Sequence, residues 1–262
     1  MTTVSVMGPV RSELMWQAVA DAVQIAGDGD LLDVLDLGGG TGGDAVRLAQ
    51  LGHRVTVVDP SPDALASLHR RGIEAGLSAP VHGVQGDAAD LLDHVAPTSV
   101  DLVLCHGVLE HVDDPGQALS TVATVLRPAG HVSVMVAGRH AAVAARALAG
   151  DFVMAQTLLD RSLADWDVRQ MGPRRFVAAE VDELLRHHGF AAVRAHGVRV
   201  FADLVPSAIV DTEPGAREAL YALERSLSTS ADFTALSAGL HTIARLDLSS
   251  APPDPGGKSA TL

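Results

Sequence analysis

Short apolar runs alternate along this chain with stretches of helical period, and the first such pair sets the pattern. Leu31 to Leu37 is mostly apolar, too brief for a typical helix, and stops at Gly38 to Gly43, so it spells a buried strand entering a glycine turn. Asp44 to Leu51 carries Ala45, Val46, Leu48 and Ala49 at near-helical spacing, and Gly52 stops it before a second strand from Val55 to Asp59. The order is strand, glycine loop, helix, strand.

The same alternation continues. Ser61 caps a helix with Pro62 at its first position, predicted to run to about Arg71 before Gly72. A third strand is expected from Val81 to Gln85, broken by Gly86 to Asp90, which opens a short helix through Leu92. Val100 to Cys105 is the fourth strand, His106 to His111 a tight turn, Pro115 to Leu126 a helix, and His131 to Val136 the fifth strand. Five alternations predict an α/β fold: a parallel sheet covered by helices on both faces.

The ends read differently. Met1 to Val10 has no period and is expected to be a mobile arm, with Arg11 at its hinge and a helix from Ser12 to Ile25 presenting Met15, Ala18, Val19 and Ala22. After Gly138 the pattern changes: residues 139–175 read as an insertion, with alanine-rich helices broken near Gly150 and Asp151 and an irregular stretch from Asp160. A helix from Val181 to His188 and strands from Ala191 to Phe201 and Leu240 to Leu246 follow. Residues 249–262 are rich in Pro, Gly and Ser and are expected to be disordered. The division is an arm (1–10), one domain (11–248) and a tail (249–262).

Composition narrows the function classes. At 262 residues and 47% hydrophobic, the chain can bury one large core. No apolar run reaches the length of a membrane span and no signal-peptide layout opens the chain, so a cytoplasmic protein is the expectation. Cys105, the only cysteine, excludes an internal disulfide or a cysteine-built metal site, and no His, Asp or Glu grouping has metal-ligand spacing. A net charge of -13 argues against a broad nucleic-acid surface. The exception is the stretch from Arg139 to Arg175, with six arginines against four aspartates, a net +2 that leaves -15 for the remainder. It follows the fifth strand, at the end of the sheet where ligands bind.

The glycine loop fits two templates. Gly38-x-Gly40-x-x-Gly43 satisfies a dinucleotide fingerprint, and Asp36-x-Gly38-x-Gly40-x-Gly42 satisfies a motif of methyl-transfer enzymes. In both, glycines let the backbone approach a ligand, a helix N-terminus offers free N–H groups, and an acid ending the second strand, here Asp59, grips a ribose diol. Arg199, near the end of a late strand, is the candidate bidentate anchor for an anionic acceptor, with Arg139 and His140 beside it. Glu110 and His111 are adjacent on a turn, where side chains usually point apart. Cys105 reads as a small core hydrophobe, and His187 and His188 as helix-end residues.

The ordered combination of Asp36 to Gly42, Asp59, Gly86-Asp87-Ala88 and Leu104 to His111 resembles class I S-adenosylmethionine-dependent methyltransferases. That resemblance implies a single Rossmann-like domain with a mostly parallel seven-stranded sheet, the last strand antiparallel, and S-adenosylmethionine as cofactor, S-adenosylhomocysteine as product. It implies that Asp36 binds the cofactor, that Gly38, Gly39 and Gly40 face the methionine part and Asp59 the ribose, that Asp87, Ala88 and Ala89 border the adenine, and that His106 closes the site.

A further resemblance, to the bacterial tRNA 5-carboxymethoxyuridine methyltransferase family, spans nearly the whole chain. It is carried by Arg11-x-x-x-x-Trp16, Val34 to Gly42, His106-x-Val108-Leu109-Glu110, Ala149-Gly150-x-Phe152 and Gly197-Val198-Arg199-Val200-Phe201-x-Asp203. It implies cofactor contacts for Arg11 and His106, and as acceptor the carboxylate of a tRNA nucleotide; the alternatives are a small carboxylate metabolite as acceptor, a nicotinamide-dependent oxidoreductase, and a cofactor-binding protein without catalysis. A lysine cluster of that family is replaced here by scattered arginines, and His111 stands where it has tryptophan.

Overall fold

The computed structural model describes residues 7–77 and 81–247. In chain order the elements are α1 (Met7–Gly27), β1 (Asp33–Leu37), α2 (Gly43–Gln50), β2 (Arg54–Asp59), α3 (Pro62–Glu74), β3 (His82–Gln85), α4 (Leu91–His94), β4 (Val100–His106), α5 (Pro115–Val125) and β5 (Leu126–Ala137). Then come α6 (Arg139–Leu148), α7 (Phe152–Asp160), α8 (Val168–Met171), α9 (Ala178–His187), β6 (Phe190–Val198), α10 (Ser207–Thr212), α11 (Ala216–Leu227), α12 (Ala231–Thr234) and β7 (Gly239–Leu246).

The strands form one seven-stranded sheet in the order β3-β2-β1-β4-β5-β7-β6. β1 to β5 are parallel neighbours, and β7 inserts antiparallel between β5 and β6. Strand residues alternate between two helical layers. Leu35, Leu37, Val103, Cys105, Val132 and Val134 pack with Leu119, Val122, Val181 and Leu185 from α5 and α9. Val34, Val57, Leu102, Leu104 and Ile243 pack with Val19, Ala22, Ala45, Leu48 and Leu68 from α1, α2 and α3. With apolar side chains needed on both faces, the strands read as near-continuous hydrophobic runs. Period 2 also puts Asp36 and His106 on the α1 side, at the carboxyl ends of β1 and β4.

Three expectations are corrected. The helix expected from Ser12 begins at Met7, so residues 7–10 are not an arm and Arg11 sits inside α1. Pro9 falls in the first turn, where its missing N–H costs little. α3 continues through Gly72 to Glu74, because Gly72 is buried inside the helix and Gly76 takes the left-handed turn instead. The stretch after Asp160 contains α8, capped by the Asp167 carboxylate. Most of the expected arm (1–6) and the expected tail (249–262) lie outside the described residues.

The start of the segment after β6 is anchored by Glu224. Glu224 of α11 is buried, and its carboxylate accepts the backbone N–H groups of Val200, Phe201 and Ala202 at 2.8, 2.8 and 2.6 Å. Arg199, immediately before them, has φ 61°, a left-handed conformation that strains a non-glycine residue by about 1–3 kcal/mol and persists only where its surroundings over-determine it. Replacing Glu224 by Ala leaves three amides without their acceptor, and chemical denaturation should show a loss of about 3–5 kcal/mol. A loss below about 1 kcal/mol would mean that the loop is held by something else.

Candidate functional site

The glycine loop is shaped by what no side chain could share. Gly38, Gly40 and Gly42 have φ of 71°, 56° and 71°. A Cβ at Gly39 would collide with the Asp36 carboxylate, and one at Gly42 would collide with Leu68. Asp59 then fixes the loop: its Oδ2 accepts Gly40 N at 2.8 Å and its Oδ1 accepts Ser61 N at 2.9 Å. Each carboxylate oxygen has a second lone pair, which leaves acceptors for a diol.

Two clefts open on either side of Gly38, which lines both. One, of about 610 Å³, is lined by Asp59, Asp87, Ala88, Ala89, Val108 and His111. The Asp87 carboxylate accepts Ala89 N at 2.7 Å, and Asp87 N donates to Asp90 at 2.7 Å, which shapes this wall. The second cleft, of about 750 Å³, is lined by Arg11, Asp36, Gly38, Gly39, Asp44 and His106. Burial, then the charges of Asp44 and Asp59, push the Asp36 carboxyl up to about 7, so it is poised to ionise when a cation arrives. Burial draws the His106 imidazole down to about 4, leaving it neutral at physiological pH.

A third cleft, of about 640 Å³, lies between the α6–α7 hairpin and the segment after β6, lined by Arg146, Met154, Arg161, Trp166, Arg175 and Arg199. Arg199 Nε is buried with no hydrogen-bond partner among the described residues. Asp203 joins the clefts, with one oxygen 2.7 Å from Arg11 Nε and the other 3.3 Å from an Arg199 terminal nitrogen.

The structure thus brings together Arg11, Asp36, Gly38, Gly39, Gly40, Asp59, Asp87, Ala88, Ala89 and His106. Arg199 faces the third cleft. Arg139 does not: it is buried, pairs with Glu180 at 2.6 Å and donates to the carbonyls of Arg161 and Arg175. Its cation pins the hairpin to α9, and His140 lines none of these clefts. The basic character expected of residues 139–175 is reduced further by Arg174, whose guanidinium binds the carbonyls of Val112 and Asp113. Arg175, Asp203 and Glu224 were missed as site-forming residues. Glu110 is buried and accepts Ala137 N at 2.8 Å, whereas exposed His111 lines the cleft with Asp59 and Asp87. Cys105 is fully buried and its thiol is pushed far up by that burial. His188 bonds Ser120 at 2.9 Å, a structural contact.

A family model of a methyltransferase domain matches residues 35–134. The tRNA 5-carboxymethoxyuridine methyltransferase of Escherichia coli (strain K12) is 30% identical over 239 residues, 91% of this chain and 88% of that protein. The chain belongs to the S-adenosylmethionine-dependent methyltransferase family. A ubiquinone biosynthesis O-methyltransferase of Cupriavidus pinatubonensis is 31% identical to this methyltransferase over 166 residues, 63% of this chain and 62% of that protein. Among solved structures, magnesium protoporphyrin IX methyltransferase from Synechocystis PCC 6803 with bound SAH shares the fold at TM-score 0.60 and 15% identity, covering 94% of this chain and 89% of that one. The 1,6-didemethyltoxoflavin-N1-methyltransferase of Burkholderia thailandensis does so at TM-score 0.54 and 22% identity, covering 89% and 78%.

S-adenosylmethionine is the cofactor, and the residues present suit it. Glycine backbone, the Asp59 carboxylate and the Asp36 carboxyl offer acceptors of the kind that a ribose, an ammonium and a sulfonium take. Of the described helices, none is long and apolar enough to cross a membrane. No group of three or more His, Cys, Asp or Glu that could hold a metal ion occurs among the described residues.

Two outcomes are expected. Asp59→Ala should weaken S-adenosylhomocysteine binding by about 2–4 kcal/mol in titration calorimetry, through loss of charge-assisted hydrogen bonds and of the loop's anchor. Unchanged affinity would remove Asp59 from the site. Binding the cationic cofactor should lower the Asp36 pKa from about 7, so wild-type protein releases protons on binding at pH 7 and Asp36→Asn does not. The release should shrink as pH rises well above 7, where the carboxyl is already ionised. Calorimetry in buffers of different ionisation enthalpy measures it.

Proposed function

We propose that this methyltransferase esterifies a carboxylate, that of 5-carboxymethoxyuridine in tRNA. The observation that carries the reading is the arginine-lined third cleft, joined to the cofactor side through Asp203, where Arg199 presents a buried, unpartnered Nε. The similarity to the tRNA methyltransferase across 91% of the chain supports the acceptor.

The chemistry asks little of acid–base groups. The acceptor carboxylate is ionised near neutral pH, and bound S-adenosylmethionine would supply an electrophilic methyl group to its oxygen and depart as a neutral thioether. One negative and one positive charge cancel, and no proton is released. The protein's contribution is orientation, which can supply roughly 7–11 kcal/mol. Arg11 and His106 hold the methionine end, Asp59 the ribose, the wall of Asp87, Ala88 and Ala89 the adenine. Arg199 and Arg175 receive the acceptor carboxylate. Burial and the neighbouring Arg146 lower the Arg175 pKa, a cation under strain that an incoming anion would relieve.

A small carboxylate metabolite is the second reading, favoured by the net charge of -13 and by the engagement of Arg139 and Arg174 in structural bonds. The test is methyl transfer to bulk tRNA carrying 5-carboxymethoxyuridine, at two salt concentrations. A methyl ester on that nucleotide, with affinity falling steeply as salt rises, is expected. Absence of the ester while cofactor binding is intact would overturn the tRNA reading. Arg199→Ala should raise KM for the acceptor at least tenfold while leaving cofactor affinity unchanged, as expected for loss of a charge-assisted contact of about 1.5–3 kcal/mol.

A further inference from the structure

Four polar side chains form a line across the α1 face of the sheet, from the cofactor cleft to the edge strand. His106 at the end of β4 places Nε2 2.8 Å from Ser133 Oγ on β5. Ser133 Oγ lies 2.6 Å from His241 Nε2 on β7, and His241 Nδ1 lies 3.1 Å from His196 Nε2 on β6. The strand register puts them on one face: Ser133 pairs with Leu104, two residues from His106, and His241 pairs with both Met135 and His196. Buried polar residues are tolerated here because each is hydrogen-bonded to the next.

Counting hydrogens restricts the line to two states. Each neutral imidazole carries one N–H and the serine one O–H, and the Ser133 hydroxyl has no third partner among the described residues. Three links use three of those four hydrogens. The fourth sits on Nδ1 of His106, in the cofactor cleft, or on Nδ1 of His196, at the sheet edge, and not on both. Moving it from one end to the other shifts a hydrogen along every link and buries no charge.

We propose that His106, Ser133, His241 and His196 are a proton relay that carries to the sheet edge the proton displaced from Asp36 when the cationic cofactor enters the cleft. Asp36 and His106 line the same cleft. The Asp36 carboxyl gives its proton to His106 Nδ1 across the cleft that both line. His106 Nε2–H passes to Ser133 Oγ, the Ser133 hydroxyl hydrogen to His241 Nε2, and His241 Nδ1–H to His196 Nε2. His196 Nδ1–H leaves to solvent beside Asp21, whose carboxylate on α1 is paired with Arg194 at 3.3 Å. One proton enters and one leaves, and the line ends neutral in its other state. The groups facing it are Asp36 at one end and Asp21 and Arg194 at the other; burial keeps all three imidazoles neutral, their pKa values lying below the ordinary range. A neutral His106 leaves no cation beside the sulfonium.

Two measurements on the full chain test the relay. In ¹⁵N-histidine spectra at pH 7.5, His241 and His196 should carry hydrogen on the same type of ring nitrogen and His106 on the other type. Any other pattern, or a cationic ring, overturns the relay. In stopped flow with a pH indicator, proton release on mixing with S-adenosylmethionine should be at least tenfold slower in Ser133→Ala than in wild type, with the same total release and the same affinity. Ser133→Thr, which keeps the hydroxyl, should restore the rate. Release as fast in Ser133→Ala as in wild type overturns the proposal. No release in wild type does so as well, and leaves the methyl-acceptor reading untouched.

Discussion

The two bonds of the Asp59 carboxylate, to Gly40 N and Ser61 N, tie the glycine loop to the end of β2, and the site is built outward from them. A loop with three left-handed glycines has little conformational preference of its own and needs an external anchor to be a binding surface. Once it is tied, Gly38 stands between two clefts, Asp36 is forced into a desolvated position, and the α2 N-terminus borders the cleft that Asp36 lines. The parallel sheet supplies the rest, because β1, β2 and β4 all present their carboxyl ends at the same edge.

The third cleft is organised by a different device. Glu224 collects three amides and so forces Arg199 into a strained conformation, and Asp203 divides its carboxylate between Arg199 and Arg11. The two halves of the site therefore share a charge. Any anion that takes Arg11 or Arg199 must compete with Asp203 for that cation.

Much of this was legible in the sequence, because the signals were local. The run ending at Leu37, the glycines, Gly52 and the acid at Asp59 define strand, loop, helix and strand within one short stretch of chain, and the Ser61-Pro62 cap stands where its residue types place it. What was not legible depended on distant partners. Arg139 looked like a ligand-facing cation, but Glu180, 41 residues later, holds it. Glu224, far from the strand it supports, carries no local signal. The polar line left a faint one: Ser133 and His241 are buried polar residues within strands, where a polar residue demands a partner.

One cofactor lying across both clefts beside Gly38 would unite these features. Its most direct test is a crystal structure with S-adenosylhomocysteine bound. The ribose hydroxyls should meet the Asp59 carboxylate, the adenine should lie along Ala88 and Ala89, and the methionine carboxylate should sit at Arg11, drawn away from Asp203. A ligand found elsewhere on the molecule, or one in place with Arg11 still bound to Asp203 and its own carboxylate unpaired, would contradict it.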